Sequence, residues 1–134
     1  MSNVYSYRFD TPLWNATAPV SVPHFVNVVF SFQNISGALG PLPEYQNYLD
    51  LSKSIGRAYA SFVSTHQPNG AAGANAFNGS DGAANVTGLP MWPKYELAAP
   101  RNMVLNANGS WVESDTWRRE GIAFINSITR ELLA

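Results

Sequence analysis

No cysteine occurs among the 134 residues, so disulfides, zinc–thiolate centres and cysteine nucleophiles are excluded. Charge is scarce as well: charged residues make up 13% of the chain, and the formal net charge is −1. Lys53, Arg57, Lys94, Arg101, Arg118 and Arg119 build no basic patch, which argues against nucleic acid as a partner. No apolar run is long enough to cross a bilayer, so no membrane span is expected. The opening residues MSNVYSYRFD lack the apolar segment of a secretion signal. Histidine is reduced to His24 and His66, which have neither the spacing nor the carboxylate company of a zinc site. A phosphate-cradling glycine loop is missing too, GAAGAN being merely flexible in composition. No metal and no cofactor are therefore expected.

What is present is enough for one modest core. Hydrophobic residues make up 46% of the chain, far above the level of a disordered tail. Five of the thirteen asparagines, Asn15, Asn34, Asn78, Asn85 and Asn108, stand in Asn-x-Ser/Thr triplets, the acceptor pattern for N-linked sugars. Each match is weak by itself, and a loop-rich composition yields such triplets with no sugar attached. Their number favours an exported, secreted glycoprotein whose export signal lies outside this chain.

The order of elements follows from periodicity. Residues 3–9, NVYSYRF, alternate with Tyr5, Tyr7 and Phe9 on one face, as a strand does. A Pro/Asn/Thr-rich connection then leads to His24, placed directly after Pro23 and ahead of an apolar run. Residues 44–66 carry a helical stripe of Tyr45, Tyr48, Leu49, Ser52, Ile55, Tyr59, Phe62 and Val63, stopped by Gln67-Pro68-Asn69-Gly70. Residues 70–89 are Gly/Ala/Asn-rich and read as a flexible inserted loop. A short strand is expected at 102–105 and a turn at Asn108-Gly109. A terminal helix follows, with Trp117, Gly121, Phe124, Ile125, Ile128 and Leu132 on one face. Asp115 or Thr116 is its expected N-cap. Arg118 and Arg119 fall in its first turn, where the helix dipole disfavours cations, so Asp115 or Glu120 is expected to offset them. This is a mixed α/β pattern, yet two visible strands make an incomplete sheet.

Five segments, VYSYRFD, VPHFVNVVFSF, LSKSIGRAYASFVSTHQPN, WPKY and TWRREGIAFI, occur in an order that resembles the C-terminal quarter of type-B carboxylesterases. These are the cholinesterase- and lipase-like serine esterases of the α/β-hydrolase fold, and the variant here is similar to fungal ones. The resemblance covers nearly all of residues 1–134 apart from 70–89. It implies the C-terminal part of an α/β-hydrolase fold: late strand, histidine-bearing loop, long helix, short strand and C-terminal helix. It implies that His24 matches the family's triad histidine, a residue type able to take a proton from a serine hydroxyl near neutral pH and return it to a leaving alcohol. Phe25 replaces the small residue that often follows and is expected to shape the acyl pocket, with Phe30 and Phe32 as further candidates. Asn27 stands where the family commonly has glutamate, which puts that group's electrostatic role in doubt. Asp10 matches the family's Arg-Phe-Asp motif and not its catalytic acid. His66 is expected as a solvated helix-end residue. Trp92, Tyr95 and Trp117 are assigned to packing.

The rest of the triad is not in the sequence. Ser36 precedes Gly37 but follows Asn34 by two, and Ser80 precedes Gly82 by two but follows Asn78 by two, so no serine sits in Gly-x-Ser-x-Gly. Alone, the chain is expected to be inactive. Two readings stay open. One is the C-terminal portion of a serine carboxylesterase acting on carboxylic esters, its partner being the missing N-terminal portion. The other is a non-catalytic secreted glycoprotein or binding module of esterase descent, which Asn27 and the loose loop favour.

Overall fold

The computed structural model describes residues 3–12, 22–34, 42, 44–70 and 88–132. Asn15, Asn78 and Asn85 lie outside the described residues, as do 71–87 of the expected inserted loop. The elements run β1 (Tyr7–Phe9), α1 (Val26–Ser31), α2 (Gln46–Thr65), β2 (Arg101–Leu105), β3 (Trp111–Ser114) and α3 (Arg119–Leu132).

Among the described residues the sheet has three strands in the order β1-β2-β3, the first pair parallel and the second antiparallel. β3 was not expected. It is four residues long and alternates Trp111, Val112, Glu113, Ser114 behind the Asn108-Gly109 turn, where the Gly109 amide donates to the Asn106 carbonyl. The parallel register sets Tyr7 beside Met103 and Phe9 beside Leu105, so these four share one face.

That face receives the helices. Phe30, Leu42, Ile55, Met103 and Leu105 are fully buried, and Phe30 lies between the rings of Phe9 at 5.1 Å and Tyr48 at 5.5 Å. The Ser52 hydroxyl donates to the Phe30 carbonyl at 2.7 Å and ties α2 to α1. α2 forms because apolar positions recur every three to four residues, but its buried stripe is Tyr48, Leu51, Ser52, Ile55 and Ala58. The expected stripe is corrected at its ends: Tyr45, Phe62 and Val63 are exposed, Val63 by 80%. Only the central turns of α2 lie over the core. The helix stops at His66, whose left-handed backbone (φ 58°) lets its amide donate to the Phe62 carbonyl. Beyond it, the Asn69 side chain grips Trp92 twice, donating to its carbonyl at 2.9 Å and accepting from its amide at 2.7 Å. The Trp92 indole in turn donates to the Ser6 carbonyl at 2.9 Å.

The opposite face of the sheet is held by charge. Arg8 makes two hydrogen bonds to the Glu113 carboxylate, at 2.9 and 3.1 Å, pairs with Asp10 at 2.7 Å, and lies 4.6 Å from the centre of the Trp117 ring. The Glu113 hydrogen bond, more than any other contact, raises the guanidinium pKa further above its ordinary value. Arg8→Ala should lower stability by about 2 kcal/mol, measured as a shifted urea midpoint with an unchanged m-value.

α3 forms where its periodicity predicts, but its apolar face does not reach the core. Trp117, Ile122, Phe124 and Ile125 are all more than half exposed. The expected offset of the arginines also differs. Asp115 accepts from the Tyr95 hydroxyl and the Asn102 amide, both at 2.7 Å, and Arg118 sits ahead of the helix with φ 52°. Committing Asp115 to β2 leaves Glu120 as the acid of the first turn.

Candidate functional site

His24 stands on a turn, and two residues later the chain enters the core. Val26, Val29 and Phe30 bury one side of α1, which fixes the helix against α2. His24 itself is exposed, and its ring makes no hydrogen bond among the described residues. It lies beside the ring of Phe25, with ring centres 5.7 Å apart and planes tilted by 51°.

Phe25 has a left-handed backbone, φ 79° and ψ −10°, at the N-cap of α1. A residue with a Cβ adopts this conformation at a cost, which the packing of Val26 and Phe30 directly behind it offsets. The consequence is a reversal of direction: the core residues of α1 face inward while His24 and Phe25 face outward. Phe25 is 49% exposed.

The other candidates separate. Phe30 is 0% exposed and belongs to the core, which removes it from a pocket wall; Phe32 is 79% exposed. Asn27 is half-buried, and its carbonyl accepts from the Ser31 hydroxyl at 2.9 Å. Asp10 is paired with Arg8. His66 is exposed at the end of α2. Tyr95 is bonded to Asp115, which raises its pKa, and Trp92 is buried. Asn34 is half-buried, whereas Asn108 is exposed on the β2–β3 turn.

Two features had no sequence signal. One is the Arg8–Glu113 pair, whose members lie 105 residues apart. The other is the Tyr59–Tyr7 pair, in which the hydroxyls meet at 2.9 Å and burial, aided by that bond, raises the Tyr59 pKa well above its ordinary value. A hollow of about 410 Å³ beside α2 is lined by Gln33, Leu42, Glu44, Leu49, Ser52 and Lys53, without His24. Among the described residues, no group of three or more acidic or histidine side chains is placed to hold a metal ion. No helix among them is long and apolar enough to cross a membrane.

One edge of the sheet lies open among the described residues. The Met103 amide donates to the Ser6 carbonyl and the Asp10 amide to the Leu105 carbonyl, so the even-numbered residues of this stretch face β2. The N–H and C=O groups of Tyr5, Tyr7 and Phe9 point the other way, with no hydrogen-bond partner among the described residues.

No protein-family model matches the sequence, and neither does any curated protein. Solved structures do. A carboxylesterase of Geobacillus stearothermophilus, EST55, is 26% identical over 90% of this chain, with a TM-score of 0.60. An esterase from the anaerobe Clostridium hathewayi, described as hydrolysing aliphatic aromatic polyesters, is 20% identical over 84% of the chain, with a TM-score of 0.63. A PNB esterase is 22% identical over 88% of it, with a TM-score of 0.56. The chain spans about a fifth of the length of these structures, between 19% and 22%.

Proposed function

We propose that the chain is the C-terminal portion of a secreted serine carboxylesterase of the α/β-hydrolase fold, and that His24 is its general base. The observation that carries this reading is the match of nearly the whole chain to one fifth of a carboxylesterase. The unfinished surfaces support it. β1 offers an unblunted edge of aromatic residues, and α3 offers an apolar face, both of which a larger sheet and its covering layer would use.

In this reading a serine and a carboxylic acid come from the remainder of the enzyme. His24 accepts the serine proton as the hydroxyl attacks the ester carbonyl, then returns it to the departing alcohol; water repeats the cycle on the acyl-enzyme. Phe25, turned outward beside His24, lines the acyl side of the pocket. Without that remainder the 134 residues hydrolyse nothing. The resemblance to fungal enzymes and the extracellular location belong to the same proposal.

The test is the mass of the native polypeptide after enzymatic deglycosylation, detected with an antibody against residues 116–125. A species several-fold heavier than 14.6 kDa is expected. A species at 14.6 kDa would instead support the free-standing binding module and remove His24 from catalysis.

A further inference from the structure

Of the two Asn-x-Ser triplets that can be compared in the structure, we infer that Asn108, and not Asn34, is the glycan attachment site, its first sugar ring resting against α2. This inference rests on the exported-protein part of the proposed function. Asn34 is half-buried, and its backbone is committed on both sides, the amide donating to Val29 and the carbonyl accepting from Leu42. Asn34 is therefore less open than Asn108, and its backbone is less free to adjust to an attached sugar.

Asn108 is built differently. It is exposed at the tip of the turn between β2 and β3, followed by Gly109 at φ 132°, around whose missing Cβ there is open space. Its carboxamide is oriented: Oδ1 accepts from the Asn47 amide of α2 at 3.1 Å, and its backbone amide donates to the Asn106 side chain at 2.8 Å. Nδ2, the atom that would carry the sugar, has no hydrogen-bond partner among the described residues. Attachment forms the bond from Nδ2 to the anomeric carbon of the sugar. The bond from that carbon to the phosphate oxygen of a polyprenyl-diphosphate donor breaks, Nδ2 gives up one proton, and the lipid diphosphate leaves. No oxidant or reductant is needed.

Beside Asn108 is a hollow of about 280 Å³, the volume scale of a single sugar ring. Asn47, Asp50, Ser54, Asn106 and Ser110 supply its polar wall, and Leu51 contributes an apolar one. A pyranose, with hydroxyls around its rim and C–H groups on its faces, has matching chemistry. A sugar seated there joins the turn to α2 and keeps this end of the sheet facing solvent.

The experiment uses the native polypeptide, digested with trypsin, then treated with a glycan-removing amidase in heavy-oxygen water. Enzymatic release converts a sugar-bearing asparagine to aspartate with one heavy oxygen, and a parallel incubation in heavy-oxygen water without the amidase measures the label that spontaneous deamidation at Asn108-Gly109 adds by itself. Cleavage after Arg101 and Arg118 isolates Asn108 as the sole triplet asparagine of its peptide. Heavy label at Asn108 in most molecules, with Asn34 unlabelled, is the expected result. Label at other triplets of the chain with none at Asn108 overturns the inference and leaves export standing. No label anywhere overturns the inference and removes the support that the triplets lend to export.

Discussion

Replacing His24 by alanine in the complete enzyme is expected to lower kcat by about 10⁴-fold or more, with little change in KM. The asymmetry follows from what the imidazole does. In the proposed role it meets the reacting proton in the transition state but contributes little to holding the ester, so its loss would fall on kcat. A purely structural role would give a different pattern, with lower yield, a lower melting temperature and KM moving together with kcat. Steady-state kinetics on a chromogenic carboxylic ester, with a thermal melt of the same preparation, separate the two. Activity within tenfold of the parent enzyme would end the catalytic assignment.

Phe30→Ala should be the most damaging change to the fold, costing about 3–5 kcal/mol. Phe30 is fully buried, packs against Phe9 and Tyr48, and its carbonyl receives the Ser52 hydroxyl, so its removal opens a void where β1, α1 and α2 meet. Phe32, two positions on, is 79% exposed, and Phe32→Ala should stay within about 0.5 kcal/mol of the parent. Urea titration of the two variants is the measurement. Equal destabilisation would mean that α1 does not dock as described.

The contrast within Phe30-Ser31-Phe32 shows where the sequence stops being informative. A short apolar run carries too few residues to choose between helix and strand, so α1 could not be read, nor could which phenylalanine is inside. α2 was legible because its period persists for 20 residues between prolines and a turn, although its last turns extend beyond the core. β3 escaped because four residues make no periodic signal. α3 shows the opposite limit: its amphipathic pattern was clear, but what covers an apolar face is not written in the pattern itself. His24 was singled out only through its motif, and its role stays a proposal. Among the described residues, no hydrogen bond to its ring marks it out, and Phe25's backbone reversal left no trace in composition.

The grip of Asn69 on Trp92 has a consequence for how this chain tolerates change. Two hydrogen bonds pin positions 23 residues apart, so Asn69 and Trp92 are held together at one point of the fold. The entropy of closing the connection between them grows only logarithmically, about 0.6 kcal/mol for each doubling of its length. A change of length in the connection is therefore expected to cost little so long as the clamp and the buried Leu89 are kept, which a melt of an insertion variant would measure. Asn69, through its clamp, fixes the two ends between which such a change would fall.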